Sequence, residues 1–268
     1  MTAQAAHADL RHLDLRFARR GERSVLDRRI FSWPFVITRT FALDPAMPHQ
    51  QSVILQTASS AMHGVDHLRQ RLHLGTGAAA EILTQGAGAV HRANPGDTTR
   101  ETIEIRLGPD CWLDYLPQPR ILFPGAAICQ TIDVEFAPSS IAFLADGFTL
   151  HDPEAAGRLF RRFESTTTLR RSGEPIVIDR YDIAGDARHF ASYSAHGSLL
   201  ILAPRPAELL QAWSLELSAS LAATQGLYAA ASVLPGAIGI GLRFAATQLR
   251  HFRAASLLAR NLIRPRLL

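Results

Sequence analysis

The chain has 268 residues, 47% hydrophobic and 19% charged, a composition that supports a sizeable core and excludes general disorder. All 28 basic residues are Arg, set against 24 acidic ones, so Schiff-base and P-loop Lys chemistry is excluded outright. The net charge of +4 is scattered and not gathered into a basic stripe, and no nucleic-acid motif accompanies it, which argues against nucleic-acid binding.

The N-terminal run MTAQAAHADLRHLDLRF carries charges where a secretory signal would be apolar. No apolar run reaches the roughly 18 residues needed to span a membrane. A cytoplasmic protein is expected, with no membrane partner. Cys111 and Cys129 sit in no C-x-x-C or finger spacing, so free thiols are expected of them.

Up to about residue 205 the hydrophobic period is two. Ser52 to Leu55 is a short apolar run. Leu68, Leu72 and Leu74 fall on one face of a strand, with His67, Arg69, Arg71 and His73 on the other. Ile103, Ile105 and Leu107 alternate with Thr102, Glu104 and Arg106, and Ile132, Val134 and Phe136 alternate with Asp133 and Glu135. Gly, Pro, Asn and Asp clusters separate these runs, as in a mainly β protein. No segment recurs at fixed length, which argues against a regular solenoid. After Pro204 the texture turns helical. Residues 206–222 predict a helix opened by Pro206, with Glu208 near its positive end. Residues 226–233 read as a strand, 236–241 as a glycine-rich packing segment, and 244–263 as a second, amphipathic helix. The division is one domain, 1–268, with a β-rich part over 10–205 and a helix-containing part over 206–268.

The best local metal candidate is His63-Gly64-Val65-Asp66-His67. Its two imidazoles share a face on a strand and stand four apart on a helix, with a carboxylate between them. A polar turn before the His67 strand is the alternative that the residues leave open. His73 and His91 are further imidazoles that could approach. Enzyme signatures are missing: there is no G-x-S-x-G elbow, no Walker A, no dinucleotide glycine pattern after a strand and no acid–base pair of evident spacing. The residues by themselves describe a mainly β protein without a visible active site.

Residues 111–130, CWLDYLPQPRILFPGAAICQ, resemble the signature of the UreD (UreH) urease accessory protein family, which has the form L-E-Y-L-P-x-P-x-I-x-F-x-G-A. The stretch 80–92, AEILTQGAGAVHR, is similar to the family's L-T-T-Q-x-A-x-K-V-Y-R segment. WPFVITRTF at 33–41, LRRSGEPIVIDR at 169–180 and GIGLR at 239–243 complete the likeness in order along the chain. The departures are local. Where the family has G-G-x-x-G-G-D, this chain keeps Gly64 and Asp66; its Lys and Tyr become Ala89 and His91; and Arg158 stands where an acid is expected.

The resemblance implies a non-catalytic urease maturation chaperone. It implies binding to apo-urease and to a UreF-type partner, which recruits a UreG-type GTPase. It also implies nickel in transit through a water-filled route, with no tightly bound cofactor. The fold it implies is two-layered and mainly β, with partly helically wound strands and about two α-helices in the C-terminal quarter. A divergent scaffold serving another partner or metalloprotein is the alternative reading. Asp66, with His63 and His67, is the expected place on the nickel route. The C-terminal helix, through Arg250, Phe252, Arg253, Leu257 and Arg260, is the expected partner surface.

Overall fold

The computed structural model describes residues 11–59, 61–186, 190 and 192–268. Residues 1–10, on which the leader reading partly rests, and Ser60 of the 59–66 run lie outside them. The chain opens with the hairpin β1 (Leu13–Arg20) and β2 (Arg23–Phe31), then β3 (Phe35–Val36), β4 (Thr40–Phe41), β5 (Gln51–Thr57) and β6 (Ala61–Met62). Next come two three-sided turns: β7 (His67–Leu74), β8 (Ala79–Thr84) and β9 (Ala89–Val90), then β10 (Thr99–Leu107), β11 (Trp112–Leu116) and β12 (Arg120–Leu122). β13 (Ala127–Phe136) and β14 (Ile141–Leu150) begin a third turn. The hairpin β15 (Arg162–Arg171) and β16 (Glu174–Ala184) follows, and then β17 (Ala195–Leu202). The chain ends with α1 (Ala207–Ala222), β18 (Leu227–Val233), β19 (Gly239–Ala246) and α2 (Leu249–Ile263).

Two sheets result. The first runs β16-β15-β13-β10-β7-β1-β2, and the second runs β18-β19-β17-β14-β11-β8-β5-β3 with the short strands at its corner. Successive turns contribute parallel neighbours to each sheet, a solenoid-like winding capped by antiparallel hairpins. His67 lies opposite Arg100, Arg100 opposite Cys129 and Ala127 opposite Arg162, so the turns advance by 33, 29 and 35 residues. Unequal turns leave no fixed repeat to detect, which is why the sequence argued against a solenoid.

The period-two runs are the walls of the interior. Leu15, Leu72, Ile105, Val134 and Leu169 stand in register across five strands of the first sheet, each at most 1% exposed. Facing them, Val53, Ile82, Tyr115, Leu144 and Leu200 align across the second. Cys111 is buried and Cys129 half-buried, and both are free thiols. Burial pushes the Cys111 thiol up to about 12, so it is inert at neutral pH.

The helices cover the outer face of the second sheet. Leu210, Ser214, Leu217 and Leu221 make the buried stripe of α1, which starts one residue after Pro206. The second helix begins at Leu249 and not at 244. Residues 244–246 end β19, held between β17 and β18, and strand pairing overrides their helical texture. Phe252, Ala255, Ala259 and Ile263 face the sheet. Phe252 presses where a Cβ on Gly197 would lie 2.5 Å from its ring, so only glycine admits it there.

Charge fixes the same helix. Arg260 donates to Glu81 Oε1 at 2.7 Å and to Asp114 Oδ2 at 2.9 Å. Ser52 donates to Glu81 (2.7 Å), while Gln50 and the Trp112 indole donate to Asp114 (3.1 and 2.9 Å). Arg264 pairs with Asp44 and lies 3.4 Å from Asp114. Phe252 and Arg260 therefore hold the helix down and are not open to a partner. Arg250, Arg253 and Leu257 remain exposed, Leu257 at 54%. Removing one side of a buried ion pair leaves an uncompensated charge. Arg260→Ala is expected to lower stability by about 3 kcal/mol, and Arg250→Ala to stay within about 0.5 kcal/mol. Urea unfolding followed by circular dichroism measures both, and equal midpoints for the two variants would contradict the clamp.

Candidate functional site

The expected metal trio is dispersed by the fold. Residues 63–66 form a turn: the Asp66 amide donates to the His63 carbonyl at 2.8 Å, and its carboxylate accepts from the His63 amide at 2.7 Å. Asp66 is thus occupied in closing the turn. His67 starts β7 on the outer face of the first sheet, where Nε2 meets Thr102 Oγ1 at 3.0 Å. His63 stacks instead on His91, with centroids 5.0 Å apart and planes 7° apart, and the column continues through Phe123 to His151. His73 stays on the outer face of β7. Among the described residues, no three His, Cys, Asp or Glu side chains converge to hold a metal ion. Arg158 is also away from the interior, paired with Asp152 and Glu154 at the surface.

Polar groups converge elsewhere, inside the winding. Leu68, Glu101, Gln130, Ser165 and Tyr181 stand in register across β7, β10, β13, β15 and β16, so four of five inward positions in this row are polar. Of the flanking rows, Thr99, Ile128, Phe163 and Ile183 are mostly apolar, whereas Gln70, Ile103, Ile132, Thr167 and Asp179 are mixed. Glu101, 1% exposed, accepts from Gln70 Nε2 at 2.7 Å, and both its oxygens take the Arg120 guanidinium. One step along, Asp146 accepts from Ser165 Oγ (2.6 Å), Gln130 Nε2 (2.8 Å) and the Gly147 amide (2.7 Å).

Open spaces lie beside the row. A cavity of about 510 Å³ enters between the sheets beside β6 and β9, lined by Leu55, Leu68, Gln70, Glu101, Tyr115 and Arg120. Beyond Arg120 the space narrows to about 10 Å³, bounded by Gln130, Asp146 and Ile103; that is room for about one water. At the far end, Tyr181 lies under Arg243, 4.5 Å from its ring centroid, beside a groove of about 380 Å³ that includes Asp179 and Leu200.

Burial dominates the electrostatics. It pushes Asp146 above the usual carboxylate range, against the pull of Ser165, Gln130 and Gly147. Tyr115 and Tyr181 are raised by burial and then by neighbouring carboxylates, so their hydroxyls stay protonated. For Arg120, burial acts to lower its pKa, but Glu101 outweighs it and the guanidinium stays charged above its ordinary value. Carboxylate, amide and hydroxyl oxygens in a partly wet interior suit weak, exchangeable binding of a divalent ion.

A family comparison decides the lineage. The UreD urease accessory protein family matches residues 9–268. The chain belongs to the UreD family. It is 48% identical over 244 residues to urease accessory protein UreD 2 of Bradyrhizobium sp. (strain BTAi1 / ATCC BAA-1182), covering 90% of this chain and 85% of that one. UreD 2 of Bradyrhizobium sp. (strain ORS 278) is likewise 48% identical over 248 residues, covering 92% and 86%. UreD 1 of Methylorubrum populi (strain ATCC BAA-705 / NCIMB 13946 / BJ001) is 34% identical over 237 residues, covering 86% and 79%. As a UreD-family member the chain is a non-catalytic accessory protein of urease maturation, and its two-layer winding is the architecture that the family likeness implied.

Sequence reading missed the interior residues of this UreD-family chain, although a signal existed. Glu101 is in phase with Ile103 and Ile105, and Gln130 is in phase with Ile132 and Val134. A polar side chain on the buried phase of a strand is the mark to look for.

The outer face of the first sheet has its own electrostatics. Burial and then Arg69 lower His12; burial, Arg69 and Arg100 lower His67; burial, Arg16 and Arg106 lower His73. The folded chain binds fewer protons on these groups than the unfolded one. Stability is therefore full above the ordinary His value of 6.5 and lost as pH falls below it. His67→Gln should shrink the loss between pH 7 and pH 5 measured by urea midpoints. An unchanged loss would show that His67 is not depressed.

Proposed function

We propose that this chain is the cytoplasmic scaffold on which apo-urease receives nickel, working with a UreF-type partner and a UreG-type GTPase. We further assign the path of the metal to the interior polar row. The observation that carries this assignment is the in-register run Glu101, Gln130 and Ser165 on one sheet, facing Asp146 on the other. A folded chain tolerates such a row only with its groups paired, because an unpaired buried polar group is costly. A row of hydrophobic residues would pack the winding at lower cost. The mouth cavity opens onto the Glu101 end of the row, and the groove that includes Arg243 lies next to its Tyr181 end. Nickel would enter as cargo, passing between oxygen ligands that do not form a closed cage.

The partner surface on this reading uses the exposed side of α2, with Arg250, Arg253 and Leu257, while Phe252 and Arg260 supply rigidity from beneath. Removing residues 245–268 is a poor test of it, because that deletion also truncates β19 and uncovers the second sheet. Substitution separates the parts. The tagged chain is expected to co-purify with a UreF-type protein and apo-urease. Asp146→Asn should lower urease activation several-fold with that complex intact, whereas Asp66→Ala leaves activation near the wild-type level. Loss of activation by Asp66→Ala alone, with Asp146→Asn silent, would move the path to the His63–His91 corner. Failure to co-purify with either partner would favour a scaffold for another metalloprotein.

A further inference from the structure

Arg120 places a fixed cation at the narrowest point of the interior. Its guanidinium lines both the 510 Å³ cavity and the 10 Å³ space beyond it, and it closes on both oxygens of Glu101. A divalent cation arriving from the mouth meets a like charge, with the Glu101 carboxylate already taken. Beside this pair, Gln70 is 4% exposed and its Oε1 is buried with no hydrogen-bond partner. A buried acceptor without a donor is costly, and here it stands beside a carboxylate, where a bound cation would satisfy it. The guanidinium also has somewhere to go. Its side chain is 19% exposed and lines the mouth cavity, and in the closed position it rests against Gly88, where a Cβ would stand 2.5 Å from Arg120 Nη1.

We propose that Arg120 is a gate over a divalent-cation site made by the Glu101 carboxylate and Gln70 Oε1, closed by the Arg120–Glu101 pair and opened when Arg120 swings into the mouth cavity. The inference rests on the interior path proposed above and adds its control. In the free protein the pair is made and the row is shut. A partner seated over the mouth that offers Arg120 another acceptor releases Glu101 and exposes oxygen ligands of the kind nickel exchanges quickly. Arg suits the closed state because Nη2 reaches both oxygens of Glu101 while the guanidinium keeps its charge in the buried setting.

The test is nickel titration by calorimetry of the isolated chain at neutral pH, comparing wild type with Arg120→Gln, Arg120→Lys and the double variant Arg120→Gln/Glu101→Gln. Surface imidazoles bind equally in all four and cancel in the differences. The gate predicts one additional nickel equivalent in Arg120→Gln, at least tenfold tighter than any wild-type binding at that site. The increment should be weaker in Arg120→Lys and absent in the double variant. Should Arg120→Gln leave Glu101 unpaired and fail to fold, Arg120→Lys, which keeps the charge, decides. Isotherms of both single variants that superpose on wild type would overturn the gate, as would an increment that persists in the double variant. Either result leaves the path itself to the Asp146→Asn activation assay, so the two failures are distinguishable.

Discussion

Parallel strands wound with their ladders in register set equivalent side chains over one another at about 4.8 Å. That constraint decides the character of this interior row by row. A row of Leu15, Leu72, Ile105, Val134 and Leu169 makes a continuous apolar wall. A row containing Glu101, Gln130 and Ser165 makes a continuous polar line. One polar substitution in an ordinary core is an isolated cost, but stacked in register the same residues supply one another's partners. Gln130 serves both Asp146 and Ser165 in this way. The winding therefore allows a polar line along its axis while the apolar row through Ile105 stays intact further along the same strands.

The outer layer serves that line by holding the second sheet rigid. Its α2 helix is fastened by packing at Phe252 and by charge at Arg260, over the buried carboxylates Glu81 and Asp114. Those carboxylates sit on the opposite face of the strands from Ile82, Leu113 and Tyr115, which line the interior. One sheet thus carries two polar systems, separated by the thickness of its backbone. The outer system locks a helix, and the inner one is centred on Glu101 and Arg120, which line the mouth cavity, and on Asp146 beyond them.

Much of this was legible in the sequence. Alternation at 68–74, 103–107 and 132–136 gave the strands and their inward faces, and the second half of the C-terminal helix was placed correctly. Unequal turns of 33, 29 and 35 residues hide the winding from any search for a repeat, and only the family resemblance implied it. Adjacency in sequence does not bring the His63, Asp66 and His67 side chains to one point. His63 and His67 straddle a corner and point to different faces, whereas Glu101 and Asp146, 45 positions apart, meet the same interior. Arg120 stood inside the Pro-Gln-Pro-Arg run as an unremarked residue, since its meaning depends on Glu101, which only the fold brings to it.

The central claim is that the polar row is the path of the metal. Nickel-edge anomalous diffraction from the complex of this chain with its UreF-type partner, loaded with nickel, addresses it directly. The account predicts a peak between the two sheets, within bonding distance of Glu101 or Asp146. Peaks confined to the His63–His91 stack or to the outer face of the first sheet, with none between the sheets, would contradict it.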